Sequence, residues 1–102
     1  MDGEKFQYMV EFTLPQLIGE RFQKLIPYQR AKVNTYFNEG KLLSYALSME
    51  KGKLWAIFLA TSEREVEEML HHLPLSRYLK HHINLLTFHH VQPERVPAFS
   101  MN

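Results

Sequence analysis

Glu11 and His89 are the side chains best suited to moving a proton. Glu11 interrupts the apolar stretch FQYMVEFTL at 6–14, on the strand face expected to meet a second sheet. If shielded there, desolvation raises a carboxylate's pKa towards neutrality and makes it a general base. The plainer reading is a rim carboxylate that meets water or a lysine. The His89 imidazole exchanges protons near neutral pH and suits a relay or donor, or else it simply fixes the last strand to the tail. Around these two, Ser44 offers one hydrogen bond, Tyr45 a group to orient a ligand oxygen, and Trp55 a flat apolar wall. Arg77 and Tyr78, with Lys80, suit the basic rim of an acidic-ligand pocket. Strand aromatics are more often packing, and cations at a helix end also meet its terminal carbonyls.

Three histidine pairs, His71-His72, His81-His82 and His89-His90, invite a metal reading. Neighbours in a strand point to opposite faces, so such a pair does not chelate one ion. The helical pair lacks the i, i+4 relation of a zinc helix, and no cysteine adds a thiolate. Neither a glycine-rich phosphate loop nor a nucleophile elbow is present. No metal and no cofactor are expected.

The 102 residues carry twelve Lys and Arg against eleven Asp and Glu, for a net charge of +1. No basic stripe marks a phosphate-binding surface, so nucleic acid is not an expected partner. With 45% hydrophobic and 13% aromatic residues the chain has the means to build a core. No apolar run approaches the roughly 20 residues of a membrane-spanning helix, and MDGEKFQY does not read as a signal peptide. A soluble, cytoplasmic protein is expected.

These groups are positioned by a pattern centred on residues 41–60, KLLSYALSMEKGKLWAIFLA. In its first half Leu43, Tyr45, Leu47 and Met49 alternate with Leu42, Ser44, Ala46 and Ser48. The second, Leu54 to Ala60, is apolar throughout, as a central strand is, and Gly52 supplies the turn. Before this hairpin, Phe6, Tyr8, Val10, Phe12 and Leu14 mark a strand face expected to meet helices. Residues 16 to about 39 read as helical, in two parts or kinked at Pro27, with Phe22, Leu25, Gln29, Val33 and Tyr36 or Phe37 in one stripe and Gly40 as the cap. Ser62 with Glu65 predicts a capping box opening a helix whose apolar stripe is Val66, Met69, Leu70 and Leu73. Pro74 stops that helix, Leu75 to Lys80 allows one more turn, and a last strand is expected from about His82 to His90.

The order strand-helix-strand-strand-helix-strand predicts an α+β, ferredoxin-like β-α-β-β-α-β fold with a four-stranded antiparallel sheet over 1–91, followed by a C-terminal tail at 92–102. With both helices on one face, the other face is left open. A second copy covering it is the simplest remedy, so a homodimer is expected.

From Gly40 to His89 the chain resembles the muconolactone isomerase family, within the dimeric ferredoxin-like α/β-barrel group. The shared landmarks are Gly40-Lys41, Ile57-Phe58, Thr61-Ser62 with Glu65, and Leu73-Pro74-Leu75 followed by Tyr78. The resemblance implies a dimeric α/β barrel, in some members assembled into rings. It also implies cofactor-free movement of a proton within an unsaturated lactone or similar small organic acid, and it retains His89. The chain departs from the family pattern at Glu11, Ser44, Ala46, Leu47, Leu54-Trp55, Ser76-Arg77 and Phe88, and the changes remove cationic groups suited to holding a carboxylated lactone. Two functions therefore stand side by side: an isomerase with Glu11 as base and His89 as relay, or a noncatalytic small-ligand-binding or oligomeric module of the same fold.

Overall fold

The structure is a computed structural model and describes residues 3–92. Six elements follow one another: β1 (Phe6–Thr13), α1 (Glu20–Asn38), β2 (Leu42–Ser48), β3 (Lys53–Ala60), α2 (Glu63–His71) and β4 (Lys80–Leu85), with a 3-10 turn at Ser76–Tyr78. The strands form one antiparallel sheet in the order β2-β3-β1-β4. This is the expected ferredoxin-like α+β arrangement. No helix among the described residues is long and apolar enough to cross a membrane.

The period-two pattern sorts the sheet into two faces. Tyr8, Val10 and Phe12 of β1 and Leu54, Ala56, Phe58 and Ala60 of β3 are buried in the core. Helix α1 adds Phe22, Val33 and Tyr36 to it, and α2 adds Val66, Met69 and Leu70. The Tyr36 hydroxyl donates to the Met69 carbonyl at 2.7 Å, joining the two helices, and its ring meets Phe58 edge-on at 6.2 Å. The opposite face carries Gln7, Met9, Glu11 and Thr13 from β1, with Lys53, Trp55, Ile57 and Leu59 from β3.

Four expectations are corrected. Helix α1 is continuous through Pro27 and starts at Glu20, so residues 16–19 lie outside it. In β2 the register shifts between Leu42 and Ser44. This bulge inserts Leu43 as an extra residue. Leu42, opposite Phe58, therefore shares the core face with Tyr45 and Leu47, opposite Ala56 and Leu54. Leu43 is left exposed. Strand β4 spans Lys80–Leu85, earlier than His82 to His90; its ladder with β1 ends at the Tyr8–Leu85 pair, and one further bond, from the Leu86 amide to the Gln7 carbonyl at 2.9 Å, follows it. The fourth correction concerns the second helix. Ser62 accepts the Glu65 amide at 3.1 Å as a capping box requires, but the Glu65 carboxylate reaches past the cap to the Thr61 amide at 2.6 Å. The expected tail lies outside the described residues from 93 onward.

Candidate functional site

The sheet divides the expected site residues between its two faces. On the open face β1 places Glu11 between Trp55 of β3 and His82 of β4, its register partners on either side. Trp55 Nε1 donates to Glu11 Oε1 at 3.3 Å. Lys53 Nζ lies 3.1 Å from Glu11 Oε2 and donates to Thr13 Oγ1 at 2.9 Å. The hydrogen bond from Lys53 lowers the Glu11 pKa most, followed by that from Trp55 and by the Lys53 charge, with a smaller contribution from the His82 charge. In the single chain this carboxylate is thus ionised and partly solvated, where a shielded setting was expected to raise it. Burial contributes upward but is outweighed.

His89 lies on the same face at the other end of β1, its Nδ1 2.8 Å from Gln7 Oε1. Gln7 and Glu11 are four strand residues apart, about 13 Å, so the single chain does not bring Glu11 and His89 into contact. The imidazole beside Glu11 belongs to His82. Ser44 is exposed on the edge strand, opposite Ile57.

The other three candidates sit on the helix side of the sheet. Tyr45 projects under α1, where its hydroxyl accepts a hydrogen bond from Gln29 Nε2 at 3.0 Å. Tyr78 packs edge-on against Phe22, ring centres 5.8 Å apart. Arg77 is exposed and borders a polar cleft with His71, His72 and His81. His81 contacts Glu67 at 3.1 Å, whereas His82 faces the opposite way towards Glu11. Among the described residues no group of three or more His, Cys, Asp or Glu is placed to hold a metal ion.

Between α1 and the β2–β3 half of the sheet lies a cavity of about 420 Å³, within the size range of small-molecule sites. Leu14, Phe22, Val33, Leu54 and Leu79 supply apolar wall. Gln29, 4% exposed, is the buried polar residue of the described core. Its Oε1 accepts the Leu75 amide at 3.0 Å while its Nε2 serves Tyr45. Arg30 and Asn34, both exposed, line the same cavity from the next positions of α1 and so form its polar rim. Burial pushes the Tyr45 pKa up, against a smaller lowering by Gln29, so the phenol keeps its proton at neutral pH.

Sequence reasoning did not single out Gln29, Arg30, Lys53 or His82 as site residues. One signal for Gln29 was present: it is the polar member of the apolar stripe of α1, where burial requires partners. Lys53 and His82 become visible only with the strand register.

The lowered carboxylates make a pH prediction. Glu11 and Glu65 are both held below their ordinary value of 4.5, Glu65 chiefly by the Thr61 amide. Their stabilising effect is complete above that pH and is lost as the pH falls through the lowered folded values. Glu65→Gln should therefore flatten the acid limb of the stability curve, measured by urea unfolding at stepped pH below 4.5. Curves for the parent and the variant that stay parallel there contradict the assignment.

Comparison with known proteins follows the fold. The sequence family described as "Muconolactone delta-isomerase" matches residues 6–92. No curated protein sequence matches the chain. Among solved structures, the crystal structure of muconolactone isomerase at 3.3 Å resolution superposes with a TM-score of 0.68 at 17% identity, covering 88% of this chain and 97% of that one.

Proposed function

Since the chain belongs to the muconolactone delta-isomerase family, we propose that it binds a small unsaturated lactone or similar small organic acid in the cavity beneath α1. The observation that carries this reading is the cavity itself: apolar walls, a protonated phenol held by a buried amide, and a guanidinium at the rim. Arg30 would take a carboxylate and Tyr45 a carbonyl oxygen. The Tyr45 hydroxyl, a fixed donor, suits an oxygen that carries negative charge. No cofactor enters this reading.

Arg30→Ala is expected to weaken binding of muconolactone about tenfold, the scale of one charge-assisted hydrogen bond at an open rim. Isothermal titration calorimetry reads this directly, and unchanged affinity rejects the role of Arg30.

Proton transfer has a second location with its own support, the cluster Glu11, Lys53, Trp55 and His82. None of the described residues lining the cavity is a carboxylate or an imidazole, so the base in this reading is the Glu11 carboxylate of the open face. In this reading a second copy roofs that face as a homodimer, and larger rings are its further assembly. Met9, Trp55 and Leu59, each half-buried in the single chain, are the apolar groups such a roof would cover. Shielding would also oppose the lowering of the Glu11 pKa. Glu11 then breaks a C–H bond of the substrate and takes the proton. The electron pair shifts the double bond, and the proton returns at the new carbon from Glu11 or through His82. Lys53 and Trp55 are the donors for the developing oxyanion. Turnover of muconolactone, followed by proton NMR, should disappear in Glu11→Gln. Equal turnover in parent and variant rejects this second reading, and binding without turnover in the parent identifies a noncatalytic ligand-binding module.

A further inference from the structure

We propose that Gln29 is a positioning residue that fixes the hydrogen-bond polarity of the cavity, so that Tyr45 donates to its ligand and the ligand must present an acceptor oxygen. This rests on the cavity being the ligand site and adds what the site selects. The chain of reasoning starts at Leu75. Its backbone N–H can only donate, and the atom it meets at 3.0 Å is therefore the amide oxygen of Gln29. That contact orients the whole amide and leaves Nε2, a donor, facing the Tyr45 hydroxyl at 3.0 Å. Tyr45 must then accept, and its own proton is left for another partner. No described residue accepts a hydrogen bond from it, and the residue lines the cavity. The polarity runs in one direction, from the Leu75 amide through Gln29 and Tyr45 to the occupant. Gln29 is 4% exposed, so water does not compete for its two bonds. A carbonyl, lactone or carboxylate oxygen satisfies the last donor, whereas a hydrocarbon of the same shape leaves it unpaired.

The test compares 2-cyclohexen-1-one, which carries an acceptor carbonyl, with cyclohexene, which has none. Binding is followed by ligand-observed NMR, and the infrared C=O stretch of the bound enone is recorded. The parent protein should prefer the enone about fivefold to tenfold and lower its C=O frequency. Tyr45→Phe, which removes one oxygen and keeps the ring, should bind both probes equally and lose the frequency shift. Gln29→Glu, when ionised, still accepts the Leu75 amide but also accepts a hydrogen bond from the Tyr45 hydroxyl, turning that donor away from the ligand. It should lose the preference and the shift although Tyr45 is intact, a result that a merely structural role for residue 29 would not give. Circular dichroism verifies that each variant is folded, and the Tyr45→Phe comparison stands even if Gln29→Glu is not. Equal binding of both probes by the parent, or a C=O frequency unaltered by Tyr45→Phe, overturns the inference. Failure of the parent to bind either probe overturns the cavity reading on which it rests.

Discussion

Val33→Phe is expected to weaken muconolactone binding by about 100-fold, equivalent to about 2.7 kcal/mol, with little change in melting temperature. Val33 is buried at 5% exposure on α1 and faces the cavity one turn beyond Gln29. A benzyl group there grows into a void of about 420 Å³. Overpacking ordinarily costs about 1–3 kcal/mol because neighbours must move, but a void lets the added ring enter without displacing packed atoms. Calorimetric titration and a thermal melt of the same variant separate loss of the site from loss of the fold. Unchanged affinity would place the ligand elsewhere.

Phe58→Ala has the largest expected effect on the fold itself, a loss of about 3–5 kcal/mol. Phe58 is 1% exposed on the inner strand β3, between its register partners Tyr8 and Leu42 and against the Tyr36 ring. Truncation removes the contacts that link the sheet to α1 and leaves a cavity that close-packed neighbours fill only in part. For a domain whose total stability is of order 5–15 kcal/mol, this is a large share. Guanidinium unfolding with an unchanged slope and a lowered midpoint is the expected result. A loss below about 1 kcal/mol would mean that the core is not organised around this side chain.

The fold was legible because each strand and helix wrote its buried face in a local period. Tyr8, Val10 and Phe12 alternate, and Val66, Met69 and Leu70 recur at helical spacing, and those are the residues buried. The end of β4 was not legible, because alternation continued past Leu85 while the pairing with β1 ended at Tyr8. Leu42 was assigned to the wrong face because a bulge shifts strand parity without leaving a mark in composition. The site was harder to read for a related reason. Glu11 and Trp55 were assigned to one place and do meet at 3.3 Å. Tyr45, assigned to the same place, lies across the sheet, because the same parity shift keeps it with Leu42 on the helix side. Lys53 and His82 join Glu11 through register, which depends on residues distant in the chain. Gln29 gave a local sign, a polar residue in an apolar stripe, whose meaning depends on Leu75 and Tyr45 closing around it.

A crystal structure of the protein soaked with muconolactone tests the location of the site most directly. The ligand is predicted beneath α1, with its carboxylate at Arg30 and its lactone carbonyl within hydrogen-bond distance of the Tyr45 hydroxyl. Ligand beside Glu11 and Trp55 on the open face, with the space under α1 vacant, would contradict the account.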